Sequence, residues 1–281
     1  MTDDTEVLVT GLVFPESPRW RKDRLWFADQ HARRIMTVTP DGRSECRLEM
    51  DDLPGGLGWL PDGTPLVVAM TERAVYRIID HGLVLHADLS DLAPFHCNDM
   101  VVTADGRAYV GNFGYDLHGG APPVETHLIA IDPDGQCRIT AEGLVFPNGS
   151  VITPDGTTLI VAETFASRLT AFLIGDDGLL HSPHLWASLG DATPDGICLD
   201  GEGALWVASP GTRSVIRVSQ GGDVLSLIRP IGIPYACMLG GPDRRTLFVT
   251  TAETDDPYQA IIMESGRIEV AEVAIPGAGL P

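Results

Sequence analysis

Pro154-Asp-Gly-Thr-Thr-Leu-Ile-Val161 sets an Asp-Gly turn directly before an apolar triplet, and the unit recurs along the chain. The triplets are Leu25-Trp-Phe27, Leu66-Val-Val68, Ala108-Tyr-Val110, Leu159-Ile-Val161, Leu205-Trp-Val207 and Leu247-Phe-Val249, with first residues 41, 42, 51, 46 and 42 positions apart. The preceding turns match as well: Pro61-Asp-Gly63, Ala104-Asp-Gly106, Gly201-Glu-Gly203 and Pro242-Asp-Arg244, with Lys22-Asp-Arg24 as a degenerate first copy. Asp-Gly between apolar runs is a strong hairpin signal. Each copy reads as strand, tight turn, strand and further strands, such as 35–39 and 127–131, within a period near the ~40–50 residues of a propeller blade. Six copies predict an all-β, six-bladed β-propeller with four-stranded blades, a single domain over residues 1–281. The last copy starts so near the end that Val7-Leu-Val9 is expected to complete its sheet. Helix-period stripes with caps are hard to find, which argues against a TIM barrel or a doubly wound fold.

Composition narrows the partners. The 281 residues carry 39 Asp and Glu against 19 Lys and Arg, a net charge of −20. Such acidity repels phosphate backbones and anionic membranes, so neither nucleic acid nor a membrane is an expected partner, and a small molecule is. No run reaches the roughly 18–20 apolar residues of a membrane span, and the polar start Met1-Thr-Asp-Asp-Thr-Glu6 lacks a signal region, so a cytoplasmic location is expected. Five cysteines without a Cys-x-x-Cys pair suggest neither a disulfide framework nor a zinc knuckle and read as core thiols. No Gly-x-Ser-x-Gly elbow for a serine nucleophile is present.

The innermost strand of each blade lines the propeller axis, so the residues at its start form a ring. Counted back from the triplets, these are Glu16, Gly56, Asn98, Asn148, Asp195 and approximately Ala236. Four of the six are oxygen donors. Two carboxylates and two amides converging in a narrow channel would suffer desolvation and mutual repulsion unless a cation compensates. The expectation is therefore a central site for one divalent cation. All-oxygen donors suit Ca²⁺ first, then Mg²⁺ or Mn²⁺; Zn²⁺ fits less well without a histidine pair. Aromatic residues beside the column (Phe14, Phe95, Phe146, Tyr235) point to an apolar mouth.

These residues resemble the family of senescence marker protein (regucalcin), gluconolactonase and luciferin-regenerating enzyme, six-bladed propellers. Phe14-Pro-Glu-Ser-Pro-Arg-Trp20 is similar to the family's opening glutamate motif and Phe146-Pro-Asn-Gly149 to its asparagine motif. Thr193-Pro-Asp-Gly196 before Leu205-Trp-Val207 is similar to its aspartate motif, and Cys237-Met-Leu-Gly-Gly-Pro-Asp243 with Thr246-Leu-Phe-Val-Thr250 to its last-blade signature. The resemblance implies that Glu16, Asn148 and Asp195 hold one divalent cation, with Asn98 as a further ligand or a substrate contact. It also implies a metal-dependent hydrolase, a gluconolactonase-like lactonase that opens a lactone or similar cyclic ester with metal-activated carbonyl and water. A phosphotriester or ester hydrolase of the diisopropylfluorophosphatase type and a non-catalytic calcium-binding propeller are the alternatives.

One departure bears on substrate. Many sugar-lactone members carry Arg two residues before the asparagine that matches Asn98, where this chain has His96. Strand alternation would point His96 into the channel beside Asn98 as a substrate contact, and an imidazole lacks the bidentate grip of a guanidinium. Asp195, as the resemblance implies, or His96 would serve as the general base. Alternation turns Cys97 and Asp99 away from the channel. The 51-residue step places an insertion at about 113–126, beside the metal end, where Phe113, Tyr115, Asp116 and His118 are read as a lid or substrate wall. The same topology brings Gln30, His31, Glu72, Glu163, Phe165 and Glu253 toward the rim, where they are read as solvated.

Overall fold

The Asp-Gly turns need a left-handed backbone at their last position, and Gly63, Gly106, Gly156 and Gly203 supply it with φ between +73° and +94°. Each turn joins the first and second strands of a blade in a computed structural model that describes residues 5–80 and 82–279; most of the polar start, residues 1–4, lies outside them. Six four-stranded antiparallel sheets follow one another around the axis of a six-bladed β-propeller. Their innermost strands are Pro15–Arg21, Pro54–Trp59, Cys97–Val102, Pro147–Ile152, Ile197–Leu199 and Ile233–Gly240. The sixth sheet takes its outermost strand from the other end of the chain: Glu6–Leu12 pairs antiparallel with Gly266–Glu272, Glu6 opposite Val270 and Leu12 opposite Gly266.

The apolar triplets form the second strands, and the first and third residue of every triplet is fully buried. That period of two on both sides of a blade lets neighbouring sheets share one apolar filling. Phe27, Met238 and Phe248 belong to one such cluster across the first and sixth blades, and Leu66, Val110 and Ile131 to another across the second and third.

Towards the axis the filling gives way to backbone against backbone. A Cβ on Gly56 would stand 2.2 Å from Met100 N, one on Gly149 2.7 Å from Asp195 O and one on Gly196 2.2 Å from Ala236 Cβ. Gly149 N donates to Asp195 O at 3.2 Å, and Gly196 N to Tyr235 O at 2.8 Å. The Asn-Gly and Asp-Gly pairs at 148–149 and 195–196 thus combine a channel residue with one that allows this approach. The pairing register also slips here, between Glu16 and Arg19, Pro54 and Leu57, Cys97 and Met100, Pro147 and Ser150, and Pro234 and Ala236. Such irregularities re-aim side chains and break strict alternation.

Two features depart from the sequence reading. A short helix, Pro257–Met263, follows the sixth blade's second strand, with Asp256 accepting from Gln259 N at 2.9 Å and proline in its first turn. Cys46 is exposed on an outer strand and is not a core thiol, whereas Cys97, Cys198 and Cys237 are buried. Among the described residues no helix is long and apolar enough to cross a membrane.

Deleting residues 1–12 removes the closing strand and bares the edge of Gly266–Glu272. A loss of roughly 10 °C or more in Tm is expected by calorimetry, since several kcal/mol of burial and pairing go with it; an unchanged Tm would show that the ring does not depend on this closure.

Candidate functional site

One end of the axis opens into a cavity of about 310 Å³, lined among others by Glu16, Asn98, Asn148 and Asp195. The four oxygen donors predicted from the repeat are therefore brought together from blades 1, 3, 4 and 5. Glu16 accepts a hydrogen bond from Ser17 N at 2.8 Å, Asn98 Nδ2 reaches Pro147 O at 3.4 Å, and Asn148 Nδ2 donates to Thr164 Oγ1 at 3.2 Å. Thr164 Oγ1 in turn donates to Pro194 O at 2.8 Å, which ties the asparagine's position to the strand start that carries Asp195.

The electrostatics are unfavourable to two free carboxylates. Burial pushes Glu16 up to about 8, with the Asp99 charge adding to the shift while Ser17 N and the Arg19 guanidinium oppose it. Burial and then the charges of Glu16, Asp99 and Asp255 hold Asp195 well above the usual carboxylate range, with Asn148 opposing. A group of this kind releases its proton when a cation replaces it. Among the described residues no three His, Cys, Asp or Glu side chains converge as a metal cluster. The axial set holds two carboxylates, and amide oxygens would be its other donors. That all-oxygen chemistry, with two under-compensated buried carboxylates, fits a hard divalent cation.

The remaining predicted residues divide. Phe113 and His118 line the cavity, and the insertion between Ala108–Asn112 and Thr126–Ile131 adds Leu117. Tyr115 and Asp116 do not: Tyr115 is buried with its ring 6.0 Å from Phe146, and Asp116 accepts from Gly119 N at 2.8 Å to hold the loop's own turn. His96 is not among the lining residues either. It precedes the first strand residue, Cys97, so alternation does not govern it, and its ring stacks on Phe95 with centroids 4.2 Å apart. Asp99, expected to face away, lines the cavity because the register slips between Cys97 and Met100. Its Oδ1 receives Arg19 Nη2 at 2.6 Å, in a buried ion pair that also holds Met100 O at 2.8 Å.

Of the six residues read as a solvated rim, Gln30, His31 and Glu163 are buried, whereas Glu72 and Phe165 are exposed as expected. His31 is buried, lines the cavity, stacks on Phe14 at 4.9 Å and has Nε2 3.3 Å from Asp255 O. A carbonyl only accepts, so Nε2 carries the hydrogen, and desolvation lowers the imidazole's pKa. Gln30 and Phe165 also line the cavity. Glu163 is buried and structural, accepting from Val145 N at 2.8 Å and pairing with Arg168 Nε at 2.6 Å. Glu72 and Glu253 lie outside the lining. Asp255 was signalled only by the Thr254-Asp-Asp-Pro257 run that starts the helix.

Comparison with known proteins follows this geometry. The sequence model of the SMP-30/Gluconolactonase/LRE-like region matches residues 14–253. The chain is 27% identical over 258 residues to a pentonolactonase of Haloferax volcanii, covering 89% of this chain and 86% of that one. It is 26% identical over 282 residues to a 6-deoxy-6-sulfogluconolactonase of Pseudomonas putida, covering 96% and 94%. A crystal structure described as a calcium-binding protein, regucalcin, from Agrobacterium tumefaciens superposes with a TM-score of 0.82 at 22% identity, covering 99% and 97% of the two chains.

With chelator present, Asp195→Asn is expected to raise Tm at pH 7.5 by roughly 3–6 °C, because it removes one of two repelling buried charges. The sign follows from the raised pKa: the native state binds a proton that the unfolded chain has already lost, so stability is full below the unfolded value and declines as pH rises through the native one. At pH 4 the gain should vanish. Differential scanning fluorimetry in EDTA across pH 4–8.5 checks this, and an equal effect at both ends would refute the electrostatic account.

Proposed function

The chain belongs to the SMP-30/Gluconolactonase/LRE-like family, and on that premise we propose that it is a divalent-metal-dependent lactonase, with Ca²⁺ as the first choice of ion. The observation that carries the reading is the placement of Glu16 and Asp195, two buried carboxylates at one cavity with amides beside them and raised affinity for a proton or a cation. The lactone-hydrolysing activity named for the Haloferax and Pseudomonas relatives supports the same chemistry.

Glu16, Asn148 and Asp195 would hold the ion, with Asn98 as a fourth donor or a contact to the substrate. When bound, the cation supplies Lewis-acid polarisation of a carbonyl and neutralises the two carboxylates. Asp195 is the proposed base: its carboxylate takes a proton from water as the water oxygen bonds to the lactone carbonyl carbon. Collapse of the tetrahedral adduct breaks the ring C–O bond, and the leaving oxygen takes the proton back from Asp195, giving a hydroxy acid. Asn148, held through Thr164 to Pro194 O, keeps Asp195 oriented, and the aromatic wall keeps bulk water from the reacting atoms. His96 has no part in the proposed steps because its ring packs on Phe95 outside the lining.

A pH-indicator assay on a lactone panel tests the reading. Chelation should abolish turnover and a divalent cation restore it; Asp195→Ala should lower kcat by about 10³-fold or more, within the range of lost base and ligand together. His96→Ala should stay within about threefold of wild type, in keeping with a side chain outside the reacting zone. Turnover that survives chelation would exclude the metal-dependent mechanism, and Ca²⁺ binding without turnover of any lactone would favour the non-catalytic propeller.

A further inference from the structure

We propose that the substrate of this site is an uncharged lactone bearing an apolar alkyl or aryl substituent, in place of a polyhydroxylated or anionic sugar lactone. The inference rests on the lactonase reading and names its substrate class.

Five aromatic rings line the cavity together with the carboxylates. Phe113 and Phe146 lie 4.7 Å apart between centroids, Phe146 and Phe165 4.9 Å, and Phe14 and Tyr235 4.6 Å. All five line the cavity, and Leu117 from the insertion joins them. Phe165 is 47% exposed, an apolar ring held at the mouth. Alkyl or aryl groups gain from such a surface, whereas each hydroxyl brought against it loses water without finding a partner.

Two of the hydroxyls in the lining are committed to the backbone. Thr164 Oγ1 donates to Pro194 O, and Thr193 Oγ1 accepts from Gly211 N at 2.8 Å. Among the described residues no Lys or Arg side chain lines the cavity, while Glu16, Asp99, Asp195 and Asp255 do. The nearest guanidinium, Arg19, is spent on Asp99 Oδ1, Met100 O and Pro18 O. At the position where a guanidinium could grip hydroxyl or carboxylate oxygens, His96 stacks on Phe95, with its ring centroid 6.0 Å from that of Phe113. Away from the bound ion, an anionic substituent would therefore meet acidic side chains and no basic one.

The test pairs turnover with binding in the Ca²⁺-loaded full-length protein. kcat/KM should rise about fourfold per methylene from δ-valerolactone through its δ-ethyl and δ-propyl derivatives, the factor for burying one methylene. D-Glucono-δ-lactone should fall at least tenfold below δ-valerolactone, and a δ-carboxylate lactone lower still. Phe165→Ser, at a half-exposed position, should flatten the alkyl series, lowering kcat/KM for the δ-propyl lactone at least about fivefold more than for δ-valerolactone. Independently of turnover, calorimetry should show the non-hydrolysable δ-propyl lactam binding at least tenfold more tightly than the corresponding gluconolactam. Gluconolactone hydrolysed as well as the alkyl lactones would overturn the proposal and leave the lactonase reading intact. Failure of every lactone with the lactam preference retained would overturn the lactonase reading and keep the apolar specificity. Equal or absent lactam binding would overturn the proposal itself.

Discussion

Glu16 and Asp195 stand 179 positions apart in sequence, 195 against 16, and share one cavity in which burial raises the proton affinity of both and the Glu16 charge adds to that of Asp195. Holding two like charges in a dry channel costs stability, and the costs here are met by the whole ring. The six sheets are locked by the pairing of Glu6–Leu12 with Gly266–Glu272, so no blade can swing out to relieve the repulsion. A closed ring with a conflict at its centre is well suited to hold a cation, because the ion supplies what the protein lacks without requiring the fold to move.

A contrast within the same chain shows what distinguishes this arrangement from ordinary buried acids. Glu163 is buried more deeply than the half-buried Glu16 and Asp195, but it accepts from Val145 N, Thr170 Oγ1 and both Nε and Nη2 of Arg168. Glu269 accepts from Ile231 N, Gly232 N and Thr251 Oγ1, and Asp29 from Val13 N, Phe14 N and Arg34. These acids staple the approach to an inner strand to the strands behind it, and their lone pairs are occupied. Glu16 takes its bond from the adjacent Ser17 N. A buried acid with full partners is architecture; one facing a cavity with few is available for chemistry.

The architecture was legible because a turn with positive φ and the apolar triplet that follows it leave strong local traces, repeated six times. The axial column was legible for the same reason, since each member sits 9 to 11 residues before a triplet. Alternation failed where the backbone stops being a regular strand. His96 falls before Cys97 and packs on Phe95 beside the lining ring of Phe113, and Asp99 falls in a register slip and lines the cavity it was expected to face away from. His31 and Phe165 belong to single-turn 3-10 segments, Gln30–Ala32 and Thr164–Ala166, inserted between the second and third strands of blades 1 and 4. Those segments carry no periodicity, so nothing in the sequence separated a cavity wall from a solvated rim. Glu163 illustrates the converse, since its role depends on Arg168 and Val145, partners chosen by the sheet and not by spacing.

The net charge of −20 and the apolar cavity belong to one design on the proposed reading. Arginines are tied down near the carboxylates they serve, Arg19 to Asp99, Arg34 to Asp29, Arg168 to Glu163 and Arg217 to Asp200, so they offset structural acids and leave the cavity without a cation of its own. A negative field over the mouth draws in a divalent ion and leaves a neutral lactone unopposed, while the rings provide its affinity. Opening the ring converts that neutral molecule into a carboxylate at the moment the reaction ends. The acidic lining that was indifferent to the substrate then repels the product, and one distribution of charge would thus serve metal capture, substrate choice and product release.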